Sequence, residues 1–439
     1  MVFSSITFLY IFLPTLIFIY IIAPKKLKNL VMFLASMVFF AWGEIRFIPV
    51  MLSLTVSDYI CARMIDKHDE NPQKRKMYML IDVFTNLSVL LFFKYTNFFI
   101  SNFNLIPSVN LPILDIILPI GVSFNVFQSI SYIVDVYTRR TTSEKSYYNY
   151  ITYTTLFPQI IAGPIVRYVT VEDDLDERKI KLNNMTTGLR RFIVGLGKKV
   201  LIANNIGLLF SIISAMPRSE MSVLTAWLGI TAFAFQIYYD FSGYSDMAIG
   251  LAKIFGFDFD ENFNYPYISK SITEFWRRWH MSLSSWFKDY VYIPLGGSRV
   301  SKLLNIRNIF IVWALTGLWH GASWNFIVWG IYYGIILLLE KFILRKYIEK
   351  LPNFLKHTYT IFLILIGWCI FVFEDLGSLG YYMKLMFGFG NIDFINSNFL
   401  YYFKNYILIF TLAIIFSTPI YLKIKDRIKK MKSADIIIL

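Results

Sequence analysis

Two histidines carry most of the chemistry that this sequence offers. His280 and His320 are two of only four histidines in 439 residues, and both lie among long apolar runs. An ionisable side chain at membrane depth is costly, so it usually faces a cavity or a partner group and has a function. Imidazole can take a proton from an alcohol near neutral pH without a large change in its pKa. We therefore expect both residues to face one buried reaction site, with a purely structural hydrogen bond as the alternative for each.

The residues around His280 predict an amphipathic helix. Ser271 followed by Glu274 is a capping box, which marks a helix start. Apolar side chains then recur at helical spacing: Ile272, Phe275, Trp276, Trp279, Leu283, Trp286, Phe287 and Tyr290. The opposite face is basic, so we expect the helix to lie along the membrane interface. It should end at Pro294, and His280 should lie at the edge of the apolar face, near Trp276 and Phe287.

His320 lies at a predicted break between two apolar helices. The apolar run over residues 305–318 would reach only ~21 Å as a helix, less than the ~30 Å hydrocarbon core of a bilayer. The next run, over 324–344, begins after Trp319, His320 and Gly321. Broken backbone at membrane depth is tolerated only where protein or water surrounds it. The spacing therefore predicts a pocket at His320.

The composition is that of a multi-pass membrane protein. Hydrophobic residues make up 56% of the chain and charged residues only 16%, and apolar runs of membrane-spanning length recur throughout. We expect a single integral domain over residues 1–439. The net charge of +14 comes from Lys and Arg in short loops, which indicates loops on the cytoplasmic side and not nucleic-acid binding. Cys61 and Cys369 are isolated and form no zinc motif or disulfide framework.

The apolar runs predict about eleven spans in an all-α fold. They cover residues 5–23, 29–42, 47–64, 77–100, 113–137, 192–215, 222–251, 305–318, 324–344, 358–373 and 405–422. The stretch 147–168 is interrupted by prolines and glycines and predicts a re-entrant or interfacial segment. We expect loops over 172–181 and 374–402. The basic loops alternate so that the N-terminus lies outside and the C-terminus, with its basic tail 423–432, lies in the cytoplasm.

Two carboxylates lie within the predicted span 222–251. Asp240 and Asp246 are costly at that depth unless they are paired. One interpretation is a hydrogen-bond network between helices that uses Ser242, Gly243 and Ser245. The other is a direct role at the reaction site, and the sequence leaves both open.

Motifs for several other chemistries are missing from the sequence. It has no G-x-x-x-x-G-K-[ST] loop, which speaks against ATP-driven transport, and no G-x-S-x-G elbow. It has no H-E-x-x-H motif and no Cys/His cluster, so we expect no metal cofactor. Arg277, Arg278 and Lys288 would suit a phosphorylated donor such as coenzyme A, with contact to anionic lipid as the alternative.

One region of the chain also resembles a known enzyme family. It begins with FSGYSDMAIGLAKIFGFDFDENFNYPYISKSITEFWRRWHMSLSSWFKDYVYIPLGG and ends with TGLWHGASWNFIVWG. This region, residues 239–330, closely resembles the membrane-bound O-acyltransferase family, and within it the branch that acetylates alginate and peptidoglycan. The resemblance implies a ring of tilted helices around a central tunnel.

The resemblance further implies a set of site residues. The two histidines of the family correspond to His320 and His280, which are implied to be catalytic. Donor binding is expected at Arg277, Arg278, Trp276, Trp279, Ser282 and Lys288. Tunnel lining or support is expected at Trp319, Asn325, Asp240 and Asp246.

The implied activity is acetyl transfer across the membrane. Acetyl-CoA in the cytoplasm would be the donor, and a cell-surface or exported polysaccharide would be the final acceptor. The sequence contains no hydrolase-like domain outside its spans, so the resemblance implies a separate extracytoplasmic partner, an SGNH-type transferase. Two alternatives remain: D-alanyl transfer to a cell-wall polymer, as in another branch of the family, and a proton-coupled glycan or lipid transporter.

Overall fold

The computed structural model describes residues 1–119, 121–161, 163–178, 181–421, 424 and 427. These residues are largely helical, and no β-strand occurs among them. Six helical segments of the described chain are long and apolar enough to cross a membrane: Lys25–Lys67, Pro72–Phe103, Leu182–Ser214, Trp324–Ile348, Asn353–Val372 and Ser397–Phe416. An all-α membrane protein is therefore confirmed.

The N-terminal helices follow the apolar pattern closely. They are α1 (Leu13–Ile22, after a π-helical turn Phe8–Phe12), α2 (Lys28–Glu44), α3 (Ile48–Lys67) and α4 (Pro72–Phe103). Asn71 caps α4, since its side chain accepts a hydrogen bond from the backbone N–H of Lys74 at 3.0 Å. Four short 3₁₀ turns join helices along the chain: Lys25–Leu27, Ile45–Phe47, Arg218–Glu220 and Pro266–Ile268.

The predicted span 113–137 is only half helical. Helix α5 covers Val122–Tyr137, and residues 104–119 form an irregular segment. The side chain of Asn97 holds this segment, because it bonds both the N–H and the C=O of Leu114, at 3.0 and 2.8 Å. Gly121, with φ of 80°, then turns the chain into α5. The apolar composition of 113–119 concealed this part of the irregular segment.

The interrupted stretch 147–168 is broken as predicted. It contains α6 (Tyr147–Thr155) and α7 (Phe157–Ile160), and the chain is not helical again until α8 (Tyr168–Asp176). The loop predicted over 172–181 is wrong in its first half, which belongs to α8. Val171 and Leu175 anchor that helix in the core, where each is at most 3% exposed.

Helix α11 occupies the centre of the fold. The helices of this region are α9 (Leu182–Gly197), a π-helical turn (Lys198–Ala203), α10 (Asn204–Ser214) and α11 (Val223–Ile254). The C-terminal half of α11 packs into a core formed with the N-terminal helices. Its N-terminal half packs into a second core formed with the C-terminal helices. Gly195 lets α9 approach closely, since a methyl group there would lie 2.5 Å from the carbonyl oxygen of Gly243.

The remaining helices build and cover the candidate site. They are α12 (Ile272–Arg278), α13 (Met281–Phe287) with a π-helical turn (Lys288–Tyr292), α14 (Lys302–His320), α15 (Trp324–Leu339) with a π-helical turn (Glu340–Leu344), α16 (Arg345–Ile348), α17 (Asn353–Val372), α18 (Leu376–Met386) and α19 (Ser397–Phe416). The predicted outer loop 374–402 is wrong, because it contains α18 and the start of α19. The predicted basic tail 423–432 lies outside the described residues, apart from residues 424 and 427.

Candidate active site

The long helix predicted around His280 is two short helices. Ser271 caps the first as predicted, accepting a hydrogen bond from the backbone N–H of Glu274 at 3.0 Å. Helix α12 ends at Arg278, and His280 adopts a left-handed backbone conformation with φ of 45°. A non-glycine residue rarely adopts this conformation unless its surroundings enforce it. His280 is only 2% exposed, so its side chain lies inside the protein, as expected for a residue of a buried site.

The break at His280 is held by the loop that precedes α12. The backbone N–H of Met281 donates to the carbonyl of Asn262 at 2.9 Å, and the N–H of Asn264 donates to the carbonyl of Arg278 at 2.9 Å. These two bonds satisfy backbone groups that the interrupted helix leaves free. The loop therefore fixes where the His280 side chain points.

Asn262 also fixes the tautomer of His280. Its Oδ1 atom accepts from the backbone N–H of Ser282 at 3.3 Å and from the Ser282 hydroxyl at 2.9 Å. A backbone N–H can only donate, so the atom that it faces is the amide oxygen. The same oxygen lies 3.0 Å from Nδ1 of His280, which must therefore carry the proton.

The other nitrogen of His280, Nε2, is left with its lone pair. It is buried and has no hydrogen-bond partner within the described chain. Burial lowers the pKa of the His280 imidazole to about 3, because desolvation disfavours the charged ring. The ring is neutral near pH 7 and presents one unoccupied acceptor.

Glycines place His320 at the end of α14. Helices α14 and α15 touch through Gly317 and Gly330, and a methyl group on Gly330 would lie 2.5 Å from the carbonyl oxygen of Trp313. Gly321 is extended and lies against the ring of Phe326, which leaves no room for a side chain there. The predicted break at His320 is confirmed, although α14 is longer than the predicted run and starts at Lys302.

Aromatic rings surround His320. Its ring centroid lies 4.8 Å from that of Trp319, 5.0 Å from that of Trp329 and 5.2 Å from that of Phe371. Trp319 is shared between the two histidines, since its ring centroid is also 6.0 Å from that of His280. The indole nitrogens of Trp319 and Trp329 are buried without an acceptor among the described residues. Both histidines therefore belong to one apolar site that contains unused hydrogen-bond donors.

A cavity of about 440 Å³ joins the two histidines. We call it the histidine cavity. It follows one face of α14, which lines it at Ile309, Val312, Trp313, Thr316 and His320. Eleven residues of helix correspond to about 16 Å. The cavity therefore extends along α14 over about this length and reaches His320, which is itself half-buried.

A second cavity, of about 590 Å³, adjoins the histidine cavity. The two cavities share Thr273, Arg277, Ile309 and Trp313. Five basic side chains against two acidic ones line the second cavity: Lys270, Arg277, Lys341, Arg345 and Lys356 against Glu340 and Glu349. We call it the basic cavity. Its charge suits a ligand with several phosphate groups.

The structure brings six of the predicted site residues to the histidine cavity. They are His280, His320, Trp276, Trp279, Arg277 and Lys288. Ser282 supports the Asn262 network, and its hydroxyl also accepts from the N–H of Ile165 at 2.9 Å. Asn325 is fully buried in α15 and donates to the carbonyl of Phe371 at 2.9 Å. Asn325 therefore holds Phe371 against His320.

Arg278 does not line either cavity. Its guanidinium pairs with Glu274 at 2.9 Å and donates to the carbonyl of Asn264 at 3.1 Å. These contacts hold α12 to the loop beside it. Adjacent arginines on a helix point about 100° apart, which is why Arg277 reaches the cavity and Arg278 does not.

The two carboxylates of α11 are paired with basic residues of the neighbouring helix. Asp246 contacts Arg191 at 2.9 Å and Lys198 at 2.6 Å, and Asp240 contacts Lys199. The expected partners Ser242, Gly243 and Ser245 do not bond them. Asp246 lines a separate cavity of about 900 Å³ between α9, α11 and α19. Both carboxylates therefore join α9 to α11 and lie away from the histidine cavity.

Three residues that shape this site were not predicted from the sequence. Asn262 gives no signal, since it lies in a polar loop. Lys94 does give one, because it is a lone charge within an apolar run, whereas Glu340 has Lys341 beside it. Glu340 accepts from the backbone N–H groups of Ile272 and Thr273 at 2.7 and 2.8 Å, which fixes the start of α12. Lys94 donates to the carbonyl of Trp319.

The described residues contain no group of three or more His, Cys, Asp or Glu side chains that could hold a metal ion. The chemistry open to the site is that of two imidazoles, indole donors and nearby cations. Such a set can move a proton and stabilise negative charge on a reacting carbonyl oxygen.

Comparison with known proteins agrees with this geometry. The family model described as "MBOAT, membrane-bound O-acyltransferase family" matches residues 139–383. The protein named "Probable alginate O-acetylase AlgI" from Azotobacter vinelandii is 40% identical over 395 residues, which is 89% of this chain and 79% of that protein.

The names of two further relatives describe two different transfer reactions. The "Peptidoglycan O-acetyltransferase" of Helicobacter pylori is 34% identical over 90% of this chain and 81% of its own length. The "Teichoic acid D-alanyltransferase" of Bacillus subtilis is 29% identical over 51% of this chain and 59% of its own length.

Proposed function

This chain belongs to the membrane-bound O-acyltransferase family, and we propose that it transfers an acetyl group from cytoplasmic acetyl-CoA to an acceptor outside the membrane. One observation carries the proposal. The basic cavity shares four lining residues with the histidine cavity, and the histidine cavity contains both His280 and His320. A thioester on a flexible, phosphorylated carrier could place its phosphates in the basic cavity and its carbonyl at the histidines.

In the proposed reaction, His320 is the general base. A hydroxyl oxygen of the acceptor adds to the thioester carbonyl carbon while its proton moves to the His320 ring. The tetrahedral intermediate then breaks its C–S bond, and the thiolate takes the proton from His320. The products are an acetyl ester and the free thiol of CoA. His280 contributes the unoccupied acceptor Nε2, which Asn262 keeps in the neutral tautomer.

Arg277 and Lys288 are the donor-binding residues that we favour. Both are exposed, both line the histidine cavity, and neither forms an ion pair within the described part of the chain. Trp276 and Trp279 would flank the thioester arm from α12. Lys341 and Arg345 would meet the phosphates in the basic cavity. Compared with the donor-binding residues expected from sequence, this set leaves out Arg278 and Ser282 and adds Lys341 and Arg345.

The proposed setting is the cell membrane, in a single domain with about eleven tilted helices around a central tunnel. The N-terminus would lie outside and the C-terminus in the cytoplasm, since basic residues collect at one end of the helices. An SGNH-type transferase outside the membrane would receive the acetyl group and pass it to a polysaccharide. The names of two relatives, which mention alginate and peptidoglycan, support an acceptor of this class.

Acetyl transfer is preferred to D-alanyl transfer on the extent of the similarity. The relatives named for acetylation match about nine-tenths of this chain, and the D-alanyltransferase matches about half of it. A proton-coupled transporter is also less well supported, because Asp240 and Asp246 are engaged in ion pairs.

The test uses the purified full chain in lipid nanodiscs. Acetyl-CoA is supplied, and release of the CoA thiol is followed together with acetyl ester formation on an added alcohol. We expect His320→Ala to lower the rate at least about 100-fold and His68→Ala, the same change at the C-terminal end of α3, to leave it unchanged. If the wild-type protein consumes D-alanyl thioester but not acetyl-CoA, or if His320→Ala keeps the full rate, the proposal is wrong.

A further inference from the structure

Lys94 places a positive charge beside His320. It lies in α4, nine residues before the end of that helix at Phe103. Its Nζ atom donates to the backbone carbonyl of Trp319, the residue next to His320. The same nitrogen lies 5.9 Å from the centroid of the Trp319 ring. The ring of Trp319 in turn contacts both His320 and His280.

This lysine has no carboxylate partner. None of the ion pairs in the described chain includes Lys94. Other charges of the spans, such as Asp246 and Lys198, are paired. An unpaired charge within a membrane span is expensive and is usually retained for a function. Stabilisation of the fold therefore does not explain why a charged residue is present at position 94.

Capping of α14 does not require that charge. The last carbonyls of a helix need donors, and a lysine there also interacts favourably with the helix dipole. Tyr95, the next residue, already supplies a neutral donor, since its hydroxyl bonds the carbonyl of Leu318. A second neutral donor would complete the cap at Trp319. An ammonium group has three N–H donors, and the cap uses one of them.

We propose that Lys94 stabilises the oxyanion of the acyl-transfer step at His320. The inference rests on the proposed function. When the acceptor oxygen bonds the thioester carbon, the π electrons of the carbonyl move to its oxygen, and the hydroxyl proton moves to His320. One of the two remaining N–H groups of Lys94 donates to that oxygen until the C–S bond breaks and the carbonyl re-forms. Lys94 keeps its own protons throughout.

The surroundings of His320 favour direct donation from Lys94 to the oxyanion over a long-range effect of its charge. His320 is half-buried among aromatic rings, so a charge there is screened less than at an exposed surface. The indole N–H of Trp319 has no acceptor and lies in the residue that Lys94 binds. Fixed donors of this kind typically contribute 10²- to 10³-fold in kcat.

The test separates charge from hydrogen bonding with variants at two adjacent residues. Lys94→Met removes the charge and the donor, Lys94→Gln keeps a donor without the charge, and Lys94→Arg keeps both. Tyr95→Phe removes only the neutral cap next to it. Lys76→Met makes the same change as Lys94→Met at the exposed far end of α4. All are assayed for acetyl transfer in nanodiscs, with yield and thermal midpoint measured alongside.

We expect Lys94→Met and Lys94→Gln to lose about 100-fold or more in kcat, with KM for acetyl-CoA changed by less than about threefold. Lys94→Arg should keep at least about a tenth of the rate, and Tyr95→Phe and Lys76→Met should stay near wild type. Full activity of Lys94→Gln would overturn the proposal. Equal losses in Tyr95→Phe and Lys94→Met would also overturn it, because the role would then be structural.

A second comparison tests which negative charge Lys94 meets, that of the oxyanion or that of an acidic acceptor. Each variant is assayed with a neutral alcohol and with an alcohol that carries a carboxylate. An oxyanion role predicts the same loss of kcat with both alcohols. If Lys94→Met instead raises KM for the carboxylate alcohol only, Lys94 recognises the acceptor and the proposal fails. Absence of acetyl transfer in the wild-type protein would refute the proposed function itself, which is a different result.

Discussion

The Oδ1 atom of Asn262 lies 3.0 Å from Nδ1 of His280 and also accepts two hydrogen bonds from Ser282. This single oxygen decides which nitrogen of the ring is protonated. It comes from a loop that precedes the helix break, so the chemistry of His280 depends on a residue 18 positions earlier in the chain.

Asn262→Asp should shift the pH dependence of acetyl transfer. In the wild type, burial lowers the pKa of His280 to about 3, so the ring is neutral throughout the working range. A carboxylate beside Nδ1 stabilises the charged ring and raises that pKa. Activity that needs the free Nε2 would then be lost as pH falls through the raised value. The acid limb of the pH profile should move to higher pH, and an unchanged profile would contradict the role of Asn262.

Arg277→Ala should change KM for acetyl-CoA, whereas Arg278→Ala should change the stability of the protein. Arg277 is exposed and lines both cavities, so its loss should raise KM for acetyl-CoA several-fold with little effect on the thermal midpoint. Arg278 holds Glu274 and Asn264, so its loss should lower stability by about 1 kcal/mol and leave KM nearly unchanged. Steady-state kinetics and thermal unfolding of both variants check this. Equal KM values for the two variants would refute the assignment.

Glu340→Gln should weaken the start of α12. The carboxylate accepts from two backbone N–H groups and from the Thr273 hydroxyl at 2.6 Å, and it is only 4% exposed. The amide keeps one oxygen and presents an N–H₂ group to donors, at a cost of about 1–3 kcal/mol. Thermal unfolding in detergent should show the loss. Glu349→Gln, at an exposed ion pair, is the control and should change the midpoint little.

Gly330→Ala should separate α15 from α14. The added methyl group would lie 2.5 Å from the backbone carbonyl of Trp313, which cannot move without moving the helix. Overpacking of this kind costs about 1–3 kcal/mol, and the shift should displace His320 and lower kcat. Gly380→Ala is the matched control, since no atom lies within 4 Å of its added methyl group. Similar kinetics for both variants would show that the contact does not position His320.

Much of this architecture follows from the sequence because the bilayer limits the options. Apolar runs of sufficient length had to become helices, and most boundaries lie within a few residues of the prediction. The helix break at Trp319 and His320 was predicted because a short apolar run ends there, next to a histidine and a glycine. The irregular backbone over 113–119 was not predicted, because the apolar residues there are held by the side chain of Asn97 instead of forming a helix.

The break at His280 could not be predicted from periodicity. The apolar spacing runs through Arg278 to Met281 without interruption, and no proline or glycine marks the turn. The turn depends on hydrogen bonds from Asn262 and Asn264, which are long-range and leave no local pattern. The same reason explains why Arg278 was grouped with Arg277, since a straight interfacial helix would expose both.

Three of the π-helical turns begin with a charged residue, and these turns affect how the sequences of relatives should be aligned. Each starts with a charged residue, Lys198, Lys288 or Glu340, and Lys198 and Glu340 each bond another helix. A π-helical turn accommodates one more residue than the α-helix around it. We therefore expect alignments of distant relatives to open single-residue gaps at these three places. A homologue with such a gap should have lost the charge together with the extra residue, and would need another way to join those helices.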